Sequence, residues 1–316
     1  MTVSRRIIVA VAVLLQGMQA DAPGFERWSG DDLQRRRDAL SVAVGADRSA
    51  RETLADYGHA SGAHRVRFIH RDADGVPEQH AHIDDVVYIH SGAATLQVGG
   101  TLIDPTGGNN GEYTGTGITG GVRQLVGPGD ILRIPADTPH RYLVPDGADV
   151  TYVLVRMPAL LPGGTIPDDA PVLAFDPAGF VRWGATELQR RDAALADRMG
   201  PDRDARETLA DFGSPTRSHR FRLIRRDGNG RPEIHDDIID VVFVQSGAGE
   251  VLVGGEMLDR DGSFGSGIAG GTRHPVAAGD VLHIPAGIPH GYLVSEGGGH
   301  LTYVLVRVPA VLAETR

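Results

Sequence analysis

Hydrophobic and polar positions alternate along short stretches of this chain. "HRVRFIH" at 64–70 and "DVVYIHSG" at 85–92 are two of them; "ATLQVGG", "RQLVGPG", "DILRIP", "HRYLVP" and "TYVLVR" follow, closing at residue 156. Glycine, proline or aspartate separates each stretch from the next. A period of two marks strands with one face buried, and many such strands at close spacing predict an all-β sandwich or barrel. A charged segment with helical spacing precedes them, carrying Trp28, Leu33 and Leu40 and continuing through Ala50 to Ala55, with Asp31 or Asp47 as helix caps.

The whole pattern is then repeated. "FERWSGDDLQRRRDAL" returns as "FVRWGATELQRRDAAL", "ARETLADYG" as "ARETLADFG", "GDILRIPADTPHRYLV" as "GDVLHIPAGIPHGYLV", and "TYVLVRMPA" as "TYVLVRVPA". The repeat divides the chain into units 25–159 and 180–310. Between them lies a proline- and glycine-rich linker, 160–179, of extended, semi-stiff composition. Two long copies form two equivalent domains rather than a solenoid of many short units.

Composition narrows the chemistry. The chain has 316 residues, 43 of them glycine, which suits short strands and tight turns. Cysteine is absent, and all 31 basic residues are arginine, so thiolate ligands, cysteine nucleophiles and Schiff-base lysines are excluded. The net charge is −10, with no long basic run, which argues against nucleic acid as a partner. Arg5 and Arg6 precede an apolar run, Ile7 to Leu15, and small Ala20 follows. That is the pattern of a secretory signal over 1–20, and it implies a periplasmic or secreted protein. A buried first strand or an uncleaved anchor is the alternative. No later segment is long and apolar enough to cross a membrane, so no membrane association is expected once the signal is removed.

The candidate chemistry sits at the same point of each copy, "EQHAHIDD" at 78–85 and "EIHDDIID" at 233–240. His80 and His82, at i and i+2, project from one face of a strand, a common start for a metal site. Asp85 follows, and His140 comes after "GDILRIP" and a turn. In copy two, His235, Asp237, Asp240 and His290 occupy the matching positions.

These residues resemble the two motifs of the cupin superfamily, G-x5-H-x-H-x3,4-E-x6-G and G-x5-P-x-G-x2-H. Copy one supplies His80, His82, Asp85 and Gly92, then Gly129, Pro135 and His140. Copy two supplies His235, Asp237, Asp240 and Gly247, then Gly279, Pro285, Gly287 and His290. The resemblance covers both units and implies a bicupin, two tandem jelly-roll β-barrels each preceded by a short helical segment. It implies ligands His80, His82, Asp85 and His140 in the first barrel. In the second it implies His235, Asp240 and His290, with Asp237 as the fourth. Three departures stand out. Aspartate replaces the family's glutamate, and it follows the first histidine at five residues, one short of the common arrangement. Asp137 replaces a turn glycine, and Asp237 replaces a histidine.

Imidazole and carboxylate without thiolate suit a divalent Mn, Fe, Ni, Co or Zn ion. Strand parity places Tyr142 and Tyr292 inside the barrels, as hydrogen-bond donors or acids for catalysis or as plugs. Arg67 and Arg222 occupy matching positions, on an exposed face or pointing inward toward a substrate carboxylate. The glycine-rich insert at 99–121 reads as a mobile loop at a barrel mouth or as a plain hairpin. Two functions follow. One is a metal-dependent oxidoreductase or lyase, with dioxygenase- or decarboxylase-type chemistry on a small organic molecule. The other is a non-catalytic bicupin that binds a small molecule or sugar, with one degenerate site. The two units resemble the dimer formed by single cupins, an intrachain pseudo-dimer compatible with further homo-oligomers.

Overall fold

The alternating stretches are strands in the computed structural model, which describes residues 22–57, 64–159, 177–212, 219–295, 297 and 299–310. The signal segment 1–20 and most of the linker, 160–176, lie outside the described residues.

The first half opens with β1 (Glu26–Trp28), α1 (Gly30–Ser41), β2 (Ser49–Asp56), β3 (Arg65–Arg71), β4 (Glu78–His80), β5 (Ile83–Gly92) and β6 (Ala94–Val98). The insert then forms β7 (Thr101–Ile103), β8 (Thr106–Gly107), β9 (Glu112–Thr114) and β10 (Gly117–Thr119). The half closes with β11 (Val122–Val126), β12 (Ile131–Ile134), β13 (His140–Leu143) and β14 (Val150–Pro158). The second half runs β15 (Val181–Trp183), α2 (Ala185–Ala196), β16 (Asp204–Asp211), β17 (Arg220–Arg226), β18 (Ile238–Val253), β19 (Glu256–Leu258) and β20 (Gly267–Ala269). It ends with β21 (Thr272–Ala277), β22 (Val281–Ile284), β23 (His290–Leu293) and β24 (Leu301–Pro309).

Each half is a jelly-roll barrel. In the first, the sheet β15-β12-β5-β14-β3-β2 faces the sheet β11-β6-β13-β4-β9-β8 across a core of Val87, Ile89, Leu96, Val126, Leu132 and Tyr152. In the second, the long strand β18 serves both sheets, pairing β22 and β24 with its first part and β21 and β23 with its last. Motif glycines Gly92, at the end of β5, and Gly247, within β18, have φ of 71° and 75°. A Cβ there would lie 2.2 Å from the Asp149 carbonyl oxygen or 1.8 Å from that of His300, so only glycine fits.

The helices are where expected but shorter. Ser29 Oγ caps α1 by accepting from the Asp32 N–H at 3.1 Å, and Asp31 lies in the first turn, favourable to the helix dipole. Ala50 to Ala55 is strand rather than helix. It pairs with β3 from Ala50↔His70 to Ala55↔Val66, with a bulge after Thr53. Its residue types favour a helix, but β3 would otherwise present an unpaired edge, and sheet pairing overrides local propensity. Asp47 accepts from Ser49 Oγ at 2.8 Å in the turn before that strand. The insert is likewise built of strands, with β9 hydrogen-bonded to β4.

The two halves exchange their leading strands. β1 pairs with β22 of the second barrel, and β15 pairs with β12 of the first. Each helix then returns to its own half, α1 against β2 and β3, and α2 against β16 and β17. A large apolar cluster runs across both halves, with Trp28, Phe68 and Val153 from one and Trp183, Phe221 and Val304 from the other.

Candidate metal centres

β4 delivers Glu78 and His80 from one face, because i and i+2 of a strand share a side. The β4–β13 register sets His140 opposite Glu78, and β5 contributes Asp85. The four side chains converge. His80 Nε2 lies 3.8 Å from Glu78 and 3.6 Å from Asp85, and His140 Nε2 lies 3.6 Å from Glu78 and 3.5 Å from Asp85. Both rings are held from behind. His80 Nδ1 donates to Glu112 at 2.8 Å, and His140 Nδ1 donates to the Thr138 carbonyl at 3.0 Å. That leaves each Nε2 lone pair facing the cluster. His80, His140 and Asp85 are buried.

Arg156 completes the surroundings. Its Nε lies 3.4 Å from Asp85 Oδ1, and its terminal nitrogen donates to both Glu112 oxygens at 3.0 and 3.2 Å. Burial opposes charge on Glu112, but the bond from His80 and the charge of Arg156 outweigh it and hold the carboxyl at about 2. Burial likewise opposes charge on Asp85, and His140, His80 and Arg156 hold it below the usual carboxylate range. His140 is raised despite burial, by its bond to Asp85 and the charge of Glu78. Two carboxylates in a dry pocket favour any nearby positive charge.

The second barrel repeats this more tightly, for in the first only Glu78, His80 and His140 lie within 4.8 Å of one another. Glu233, His235, Asp240 and His290 are all buried, and their ligand atoms lie within 4.8 Å of one another. His290 Nε2 is 3.4 Å from Asp240 Oδ2, with Nδ1 donating to the Ile288 carbonyl at 3.0 Å. Gly262 stands where the first barrel has Glu112, so Arg307 has no outer carboxylate to hold it. Its terminal nitrogen instead reaches His235 Nε2 at 2.8 Å and Glu233 at 3.3 Å. The guanidinium thus occupies the lone pair that the first barrel leaves open.

Of the residues expected from sequence, the structure brings together His80, Asp85 and His140, and His235, Asp240 and His290. His82 and Asp237 are exposed and lie outside the clusters. Their backbone carbonyls accept from the N–H groups of Ala159 and Ala310. Glu78 and Glu233 take the places expected of a first histidine ligand. With Glu78 leading, His80 becomes the second motif histidine and four residues separate it from Asp85, which removes the spacing anomaly. The clue was the "PE" shared by both copies ahead of His80 and His235. Glu112 had no such signal, because the second copy carries Gly262 at its position. Asp137 occupies its turn in the left-handed region (φ 60°), as Gly287 does (φ 76°), and its N–H bonds the His80 carbonyl.

Tyr142 and Tyr292 are buried within the barrels, stacked on Tyr152 and Tyr303 at 4.7 and 4.6 Å. Their hydroxyls have no partner among the described residues. Burial pushes both well above the ordinary phenol range. Arg222 lines a cleft in the second barrel beside Glu233.

The donor set fits a divalent ion. Both clusters offer imidazole Nε2 and carboxylate oxygen, and Asp85 Oδ1, Asp240 Oδ1 and His290 Nε2 are buried without hydrogen-bond partners.

No family model matches the chain, and no curated protein matches it. Solved structures do. Salicylate 1,2-dioxygenase from Pseudaminobacter salicylatoxidans is 15% identical with a TM-score of 0.57, over 93% of this chain and 86% of that one. A variant of that enzyme solved in complex with gentisate matches with the same TM-score over 90% of this chain and 81% of its own. Protein Ylba from E. coli is 14% identical with a TM-score of 0.52, over 93% and 95%. At such identities the likeness is one of fold, and it spans both halves. By fold, this chain is a tandem pair of jelly-roll β-barrels, the architecture that its resemblance to the cupin motifs implies.

Proposed function

We propose that this bicupin is a metal-dependent enzyme for a small organic molecule, with its metal in the first barrel. The observation that carries this is the convergence of His80 and His140 Nε2 on Glu78 and Asp85, with each ring anchored through Nδ1. Glu78, His80, Asp85 and His140 would hold a divalent Mn, Fe, Ni, Co or Zn ion. Such an ion acts as a Lewis acid toward a substrate oxygen or supports oxygenase-type or decarboxylase-type chemistry. Arg156 balances Asp85 and Glu112 at the edge of the site. The buried hydroxyl of Tyr142 stays protonated at neutral pH, so it can donate a hydrogen bond and does not serve as a base.

A second reading is favoured by Arg307. Its contact with His235 supplies the cation that the second cluster calls for, which suits a barrel without metal. Metal analysis by mass spectrometry tests both. About one ion per chain is expected, lost in His80→Ala and kept in His235→Ala. If neither variant loses metal, the metalloenzyme reading fails. If metal is bound but a panel of organic acids gives no oxygen uptake and no carbon dioxide, the non-catalytic binding role replaces it. Export is part of the same proposal, supported by Arg5, Arg6 and the run Ile7 to Leu15 ahead of Ala20. N-terminal mass analysis of protein recovered outside the cytoplasm checks it.

A further inference from the structure

The cleft at the mouth of the second barrel is lined by five arginines, Arg206, Arg222, Arg226, Arg231 and Arg307. Three are already engaged. Arg206 pairs with Asp204 at 2.9 Å, Arg226 donates to the Tyr303 hydroxyl at 3.0 Å, and Arg307 pairs with Glu233. Arg222 and Arg231 have no carboxylate within pairing distance among the described residues. The Nε of Arg222 is buried and unpartnered. Burial and the repulsion of Arg307, Arg220 and Arg206 pull this guanidinium below its usual range, against the weaker opposing charge of Glu233. A half-buried guanidinium left in that state is a ready receptor for an anion.

The rest of the wall says what kind of anion. Arg231 lies over the Phe264 ring at 4.8 Å, and Ile224 shares the cleft. An apolar wall beside two guanidinium groups that no carboxylate pairs suits a carboxylate carrying an apolar body rather than a bare inorganic anion. The first barrel lacks these features. Val76 stands at the position of Arg231 and Thr114 at that of Phe264, and Glu112 adds a carboxylate beside Arg156.

We propose that the mouth of the second barrel binds a small organic carboxylate, held by Arg222 and Arg231 with its apolar body against Phe264 and Ile224. The cleft also holds Asp202, Asp204 and Glu233, of which Asp204 and Glu233 are paired with Arg206 and Arg307, so the five arginines outnumber its carboxylates and the site does not depend on a metal.

Titration calorimetry of the full chain after chelation of metals tests this, with benzoate as the probe. Benzoate is expected to bind at about one site per chain. Acetate and benzyl alcohol, each missing one half of the recognition, should bind at least about tenfold more weakly. Arg222→Gln and Arg231→Val should each weaken benzoate by about tenfold or more, while Arg67→Gln in the first barrel should change it less than about twofold. Arg231→Val places at an exposed position the residue that the first copy carries, so it reports on binding even if Arg222→Gln fails to fold. The proposal is overturned if benzoate does not bind, if benzyl alcohol or inorganic phosphate binds as tightly, if Arg231→Val leaves binding unchanged, or if chelation abolishes it. The metal reading can fail without touching any of these outcomes.

Discussion

His80 and His235 stand at the same point of the repeat, yet different groups hold their rings. His80 is fixed from behind by Glu112, which also draws the terminal nitrogen of Arg156 outward. His235 has no such carboxylate, and Arg307 bonds its Nε2 directly. One glutamate therefore both orients the His80 ring and keeps a competing cation off it. Glu112→Gln keeps the shape but loses the charge. It should weaken metal binding in the first barrel by about 10- to 100-fold, read by competition against a chelator of known affinity. A metal affinity unchanged by the substitution would mean that Glu112 has no part in the site. Sequence pattern alone pointed to His82 because two histidines at i and i+2 look like a pair. The parity argument was sound but started one ligand too late. Glu78, two residues before His80, shares its face, while His82 follows after the strand ends. Glu112 was invisible because the repeat puts Gly262 opposite it, so no shared residue marks the position.

At the scale of the element, strands and their order were legible because a two-residue period survives in every half-buried strand. What the repeat could not disclose is which half a strand joins. β1 and β15 lie in the leading segments read as helical in their own copies, yet each is a strand that completes the other barrel's sheet. The residues that lock this exchange were in plain view as the "GD" of each second motif. Asp280 is buried and accepts from the Gly30 N–H at 2.8 Å and from Arg27 at 3.1 Å, both across the exchange. Asp130 does the same for Ala185 and Arg182, at 2.8 and 3.0 Å. Each carboxylate thus caps a helix from the opposite half. Asp280→Ala would leave Arg27 and the helix end without their acceptor and should cost about 2 to 3 kcal/mol. A shift in the urea midpoint of unfolding measures this, and Asp130→Ala should behave alike. A loss below about 0.5 kcal/mol in both would show that the exchange is held by apolar burial alone.

Over the whole molecule the two halves are related by the repeat, but their facing polar contacts are not the same. On one side, Asp84 pairs with Arg133 at 2.5 Å and with His219 at 3.3 Å, and Arg133 lies over the Phe212 ring. Ile239 matches Asp84 in the repeat, so only the first copy carries this buried anchor between halves. On the other side, His283 stands where Arg133 does and His64 where His219 does, and their Nε2 atoms meet at 2.8 Å under the stacked ring of Tyr57. Burial, and for His64 repulsion from His283 and His219, push these imidazoles down to about 3 for His64 and about 4 for His283. His283 Nδ1 bonds the Gly24 carbonyl, and the charges of Asp56 on His64 and Asp240 on His283 act in the opposing sense. The unfolded chain binds protons on both near pH 6.5, whereas the folded chain does not until near pH 4 and below. The unfolded state therefore holds more protons in that window, and stability falls as pH drops. Each pH unit below about 6 costs up to about 1.4 kcal/mol per histidine. His140 and His290 are raised and act in the opposite sense, so the informative quantity is a difference between proteins. Between pH 6.5 and 4.5, His64→Gln should lose less stability than the wild type in urea unfolding, by about 1 kcal/mol or more. Equal slopes for the two proteins would mean that the buried histidine pair does not set the acid sensitivity of the joint.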